Sequence, residues 1–455
     1  MQLPQFYAVA VLCLGLGLLG YTAPATAAVF VVEDSMPVQA VIESADSGDT
    51  LRFEPGHYSE TVFTSKSLYF IAETPGTVIW ETNYSGRAIE ARSTGNPVYV
   101  QGFTFRRNRS GAVAFPESAG GALAAFSSPL DVRNCVFEAN AAVGIAGAIY
   151  CTTVEVPGVS SPIPADDPNS VRLFVEDCRF EGNVASSSGG AIYTDNTLSV
   201  VRNSQFVSNQ ANDGGAAFFL NGPMQIEGCE FTENTSATHG GALLVVGVGP
   251  LEITDSSFHH NRAEVFGGAG RFINITSVSI LHTEFLGNEA SFEGGALHVD
   301  RCKIQVGNSS WIDNIAGRDG GAGMYLNRLS PDSGLNRCSF FGNQAPEASS
   351  LLVFQSTLIV TESLFAEPSP MRCRQSSQIV SSCILLDQKS TRTCFSDPYR
   401  ASITRCPESI TQLCFAKPRD ACEQYGRPGV QCSEGACAKV AVEPVRWGAI
   451  KRRFP

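Results

Sequence analysis

Charge is scarce in this sequence. Asp, Glu, Lys and Arg make up only 17% of 455 residues, too few for a chain kept open by self-repulsion or for a coiled coil with charged flanks. Past the amino-terminal leader no apolar run reaches the ~18 to 20 residues that a membrane-spanning helix needs. Nothing periodic is long enough for a helix pair, which excludes helical repeat arrays. The cysteines near the carboxyl end lack the close Cys-x-x-Cys pairs of a zinc site. Positive charge is also short: the net charge of -12 repels phosphate backbones and sets nucleic-acid binding aside. What the chain has in quantity is hydrophobic residues, 43%, and 43 glycines, enough apolar surface for a folded core.

The first 28 residues hold no acidic or basic side chain and contain an apolar stretch from Tyr7 to Gly20, followed by Ala25-Thr26-Ala27-Ala28. This pattern predicts a secretory signal cleaved near Ala27 or Ala28, and hence a secreted or outer-surface protein with no transmembrane segment. Cys13 leaves with the leader, so 14 of the 15 cysteines are bound for an oxidising compartment. Charge is divided along the chain. Residues 373–455 carry 13 Lys and Arg against 7 Asp and Glu, whereas residues 1–372 carry 19 against 37.

One phrase recurs: an aromatic, an Asn three residues later, then a Gly-Gly-Ala step. It starts at Phe105, Phe137, Phe180, Phe206, Phe231, Phe258, Phe285, Trp311 and Phe340, with Asn108, Asn140, Asn183, Asn209, Asn234, Asn261, Asn288, Asn314 and Asn343. From Phe180 the starts are 26, 25, 27, 27, 26 and 29 residues apart. A propeller blade needs about 40 residues for four antiparallel strands, whereas ~25 suit one coil of a parallel β-helix with three short strands. Coils stack about 4.8 Å apart, so Phe lies on Phe, and Asn on Asn forms an amide ladder. The glycines serve where φ is positive or no Cβ fits. Ile149 and Cys151, Ile192 and Thr194, Leu243 and Val245, and Leu297 and Val299 face the core by alternation. Cys135, Cys178, Cys229, Cys338 and Cys383 share a column with Ser204, Ser256, Thr283, Ser309 and Ser363, as small residues in a buried stack.

The predicted architecture is therefore all-β: a right-handed, single-stranded parallel β-helix of about ten coils. A leader occupies 1–28, a cap and first coils 29–100, the repeats 101–387 with an insert at 152–169, and a Cys-rich tail 388–455. Val38, Val41 and Ile42 mark a short helix covering the open end. With these repeats the chain resembles right-handed β-helix proteins of the pectin-lyase-like superfamily. The Phe-x-x-Asn and Gly-Gly-Ala pairing is similar to the repeat of the chlamydial polymorphic outer-membrane proteins, a group of autotransporter adhesins. That resemblance covers residues 38 to about 365 and implies surface adhesion. It departs from the family after 387, where the residues are too few and too Cys-rich for a translocator barrel. The end, Arg446-Trp447-Gly448-Ala449-Ile450-Lys451, resembles the Trp-Gly-x-Ile-Lys tails of some secreted bacterial β-helix proteins, which implies a sorting tag.

Two columns are candidates for function. Residues before the Gly-Gly-Ala step are Asp213, His239, Phe266, Glu293 and Asp319, where Glu293 and Asp319 on consecutive coils are placed to share a proton or a metal if both point outward. The Asn-x-Asp and Gly-His-Gly signatures of hydrolases are missing. Two residues after the Ala stand Tyr150, Tyr193, Phe218, Leu244, Arg271, His298 and Met324, an outward stripe that offers sugar rings or a partner protein a platform unless a loop such as the insert covers it. Arg262 and Glu289 predict a surface salt bridge, and His259 with His260 are too isolated for a metal site. No cofactor or metal is expected. The reading is a non-enzymatic secreted or cell-surface protein that binds glycans or surface proteins, with a polysaccharide lyase or hydrolase, or a structural envelope component, as alternatives. Cys394, Cys406, Cys414, Cys422, Cys432 and Cys437 should be paired in secreted protein, because a small segment without a large core depends on covalent staples. Thiol labelling with mass mapping checks this, and free tail thiols or bound zinc would contradict it.

Overall fold

The computed structural model describes residues 27–111, 117–152, 172–318, 320–366, 371–375 and 377–385. The leader up to residue 26, the insert beyond Thr152 and the tail lie outside them. The described chain is an all-β parallel solenoid of about 10 turns. One coil shows the plan: Ile192–Asp195, Leu198–Arg202, Gln205–Val207 and Gln210–Asp213, after which Ala217–Leu220 starts the next. The first strand of each coil joins a 12-stranded sheet, the second and third a 25-stranded sheet bent between them, and the fourth a short 7-stranded sheet. All pairings are parallel, and like stacks on like: Phe206 pairs with Phe231, and Phe231 with Phe258.

The predicted helix is Val38–Ser44, with Val38, Val41 and Ile42 buried, beside the strand Val29–Val32 that pairs with Thr50–Phe53. It closes one end, where apolar core and strand edges would otherwise meet water. No helix among the described residues is long and apolar enough to cross a membrane.

The interior follows the repeat. From Phe105 to Phe365 the rings stack with centroids 4.6 to 5.1 Å apart and planes within 15°, because the strand spacing nearly equals the contact distance of parallel rings. Beside them runs the amide ladder. Asn209 donates its backbone N–H and one Nδ2 hydrogen to Oδ1 of Asn234, both at 3.0 Å, and its other Nδ2 hydrogen to the carbonyl of Phe180 at 3.0 Å. From Asn140 to Asn343 each Oδ1 thus takes two donors, and from Asn108 to Asn314 each amide gives both hydrogens, so a polar group with essentially no exposure keeps its hydrogen bonds.

The cysteine column does more than fill space. Cys229 donates its N–H to Ser256 Oγ at 3.1 Å, and Ser256 Oγ donates to the carbonyl of Thr254 at 2.8 Å. The same bridge joins Cys338 to Ser363 and Thr283 to Ser309, so the column satisfies the backbone at the bend of the large sheet. Cys135, Cys151, Cys178, Cys229, Cys302 and Cys338 are free thiols, and burial pushes the Cys229 and Cys338 thiols up to about 12.

The corners are turned by left-handed residues, the glycines expected from the repeat and, beside them, Asn and Ser. Asn196 (φ 50°) leaves the 12-stranded sheet, Asn203 (φ 46°) makes the bend, Ser208 (φ 53°) precedes the ladder Asn, and Gly214 (φ 61°) opens the Gly-Gly step. The second glycine of that step has a different reason: a Cβ on Gly190 would lie 1.9 Å from the carbonyl oxygen of Gly215 in the next coil. In the last such step the alignment of Gly320-Gly321-Ala322 shifts by one. Gly321 takes the left-handed position (φ 66°), three residues before the strand Met324–Asn327, as Gly294 does before Leu297–Asp300.

Removing one ladder amide should cost as much as removing one ring. Phe231→Ala empties part of the stack at about 3 to 5 kcal/mol. Asn234→Ala strands the N–H and Nδ2 of Asn209 and the carbonyl of Phe206, at about 1 to 3 kcal/mol for each buried group. Arg262→Ala, which breaks a 2.7 Å pair with Glu289 whose side chains are 45% and 40% exposed, should cost at most about 1 kcal/mol. Urea unfolding midpoints of the three variants check the order.

Candidate functional site

The outer face of the 12-stranded sheet carries the column that alternation pointed outward. Its observed register is Ala124, Tyr150, Tyr193, Phe218, Leu244, Arg271, His298, Tyr325 and Leu352. Met324 is not a member: it pairs with Leu297 and is fully buried in the core, while Tyr325 takes the outward place. The cause is the one-residue shift at Gly320, since a slip of one residue turns a strand over.

Nor is the upper stripe an exposed platform throughout. Tyr150 is 2% exposed, packed among Ala119, Ala124, Phe126 and Ala146, and burial holds its phenol well above the ordinary range. Tyr193 and Phe218 are half-buried and meet edge to face at 5.1 Å and 72°. Burial and then the nearby Asp195 push the Tyr193 phenol up to about 12.

Below Leu244 a second run of rings forms where two columns converge. The residues before the glycine step are bridged in the order His239, Phe266, Glu293, Gly320. The column therefore passes through Gly320 in place of Asp319, and the paired carboxylates expected at Glu293 and Asp319 are not register partners; Asp319 itself is outside the described residues. Glu293 turns to His298, with Oε2 3.4 Å from Nε2. The rings of His239 and Phe266 stack at 5.3 Å and 10°, Phe266 meets His298 at 4.8 Å, and His298 stacks on Tyr325 at 4.9 Å and 11°. The Arg271 guanidinium lies 4.9 Å from the Phe266 centroid, a cation over a ring face.

The electrostatics of this run are those of a partly dried surface. His239 is pulled down to about 4 by burial first and the Arg271 charge second, against the pull of Asp213. Burial also lowers His298, although its contact with Glu293 acts the other way. Arg271 is lowered by burial, with Asp300, Asp213 and Glu293 opposing. Among the described residues Nδ1 of His298 and Nε of Arg271 are buried with no hydrogen-bond partner. On the far side Asp300 receives both nitrogens of Arg328 at 3.1 Å. Such a surface offers the half-buried rings of His239 and Phe266 and the Arg271 cation to something laid along it, over the buried His298 and Tyr325. It does not present two facing carboxylates.

Elsewhere an open groove of about 530 Å³ lies on the large sheet and is lined by Glu230, Asp255, His282, Glu284 and Asn308 among others. His259 contacts Glu284 at 3.1 Å. Among the described residues no three His, Cys, Asp or Glu side chains gather as metal ligands. Sequence reading named Arg271, His298, His239 and Phe266 but not Tyr325 or their contact; the available signal was the run Gly320-Gly321-Ala322-Gly323, which offers two alignments.

Fold and repeat together define a parallel β-solenoid protein built on Phe-x-x-Asn coils. Residues 177–195 match the Chlamydia polymorphic membrane protein (Chlamydia_PMP) repeat, a span that holds Phe180, Asn183 and Gly189-Gly190-Ala191. Among curated proteins nothing matches the chain.

The depressed histidine gives a pH test. The unfolded chain takes up a proton on His239 below about 6.5 that the folded protein refuses until about 4, so folded stability falls as pH drops through that window. His239→Phe keeps a ring against Phe266 and should lose less stability than the wild type between those limits. Thermal midpoints across the window measure it, and equal losses would contradict the assignment.

Proposed function

We propose that the protein is a non-enzymatic solenoid of the cell surface or the exterior, which binds a glycan or a surface protein along the outer face of its 12-stranded sheet. The observation that carries this reading is the half-buried ring pairs on that face, Tyr193 with Phe218 and His239 with Phe266, the latter backed by the buried rings of His298 and Tyr325. The half-buried rings of Tyr193, Phe218, His239 and Phe266, with the Arg271 cation beside them, suit ligands that present flat apolar faces edged by polar groups, as pyranose rings and protein side chains do. The repeat supports the reading, since the matched family model describes membrane proteins. The predicted leader agrees with export. Against a hydrolase stand the register of Glu293 on Gly320 and its turn toward His298, since glycoside hydrolysis works through two carboxyl groups at a set separation.

A glycan array probed with the full chain and with Tyr193→Ala and Phe266→Ala tests this. Binding that falls about tenfold or more in either variant, matching the loss of ~1.4 kcal/mol or more, supports the face. Unsaturated or reducing products from polyuronates, lost in Glu293→Gln, would overturn the non-enzymatic reading.

A further inference from the structure

We infer that Cys135 and Cys178 form a modification site: their thiols join in a disulfide across neighbouring coils while the coil bearing the insert closes. Val136 pairs with Arg179 and Phe137 with Phe180, which sets the two cysteines side by side in the same column on parallel neighbours. Parallel strands bring Cα atoms about 4.8 Å apart, inside the window of about 4.4 to 6.8 Å that disulfides occupy. The backbone N–H of Cys135 already reaches Cys178 Sγ at 3.5 Å.

This is where the column differs from itself. Cys229 stands between Ser204 and Ser256, and Cys338 between Ser309 and Ser363, so neither has a thiol next to it. Ser bridges the bend well, with N–H to Oγ distances of 3.1 Å; sulfur at 3.5 Å is a weaker acceptor. Two adjacent cysteines thus give up hydrogen bonding and gain the capacity for a bond. The gain falls where the chain most needs it: these residues are 43 apart, against 25 to 29 between the later coils, and cross-linking constrains the unfolded chain more as the enclosed loop lengthens.

Both thiols are free in this structure, so the bond requires an oxidant, here a disulfide donor such as glutathione disulfide or an oxidised thiol oxidoreductase. One cysteine, as thiolate, attacks the donor disulfide, forming a mixed disulfide and releasing one donor thiolate. The second, as thiolate, attacks the protein sulfur of the mixed disulfide and releases the other. The protein loses two electrons and two protons, and the donor leaves as two thiols. Cys135 and Cys178 are 1% and 3% exposed, and burial raises the Cys178 thiol, so exchange belongs to the open coil before it packs.

The full chain, unfolded, reduced and refolded with glutathione disulfide, then alkylated and mass-mapped, decides it. The expected product is a peptide pair linked through Cys135 and Cys178 and lighter by two hydrogens, with Cys229 and Cys338 recovered as alkylated thiols. The urea midpoint should exceed that of protein refolded under reducing conditions, a rise that Cys135→Ser/Cys178→Ser lacks. Recovery of Cys135 and Cys178 as alkylated thiols, or each joined to a different cysteine, would overturn the inference. Mapping of the wild type suffices should the double variant fail to fold.

Discussion

Every coil of this protein must set the same kind of side chain over its neighbour, because parallel strands at one spacing leave no other arrangement for what lies between them. A polar group in that interior survives only if the group above and the group below both accept it. The amide ladder from Asn108 to Asn343 meets this condition, since each Oδ1 from Asn140 onward receives a side-chain and a backbone donor from one neighbour. The aromatic stack and the Ser, Thr and Cys bridges obey the same condition with different chemistry. Stability here is a property of columns more than of residues.

Closing a coil within 25 to 29 residues requires sharp corners. Left-handed Asn, Asp, Ser and Gly turn them, at a local cost in backbone strain that the stacked ladders offset. The double glycine is the tightest of these points, where the backbone of one coil runs against a carbonyl of the next. That close passage brings the residue just before it, His239 or Phe266, beside the outward column, and so creates the ring run with Arg271, His298 and Tyr325. The candidate face is a consequence of how the coil closes.

Ionisable groups on that face are only partly in water. Burial lowers the proton affinity of two histidines, and Arg271 sits over Phe266. Unpartnered nitrogens are costly inside a protein. By contrast, the exposed pairs such as Arg262 with Glu289 add little beyond solubility.

The amino-acid sequence determined the solenoid, the aromatic and amide columns, the capping helix and the Arg262–Glu289 pair, because each is written as a repeat or a period that survives without coordinates. The bend bridges were half legible: the column was plain, but its hydrogen bonding was not. Tertiary structure alone decided the register at Gly320, and with it that Tyr325 faces outward, that Met324 is core and that Glu293 meets Gly320. A single extra residue among Gly320-Gly321-Ala322-Gly323 leaves the motif intact while reversing which side chains face out. It also decided that Tyr150 is covered, since burial depends on what neighbouring turns place over a residue, a fact that no pattern within one coil contains.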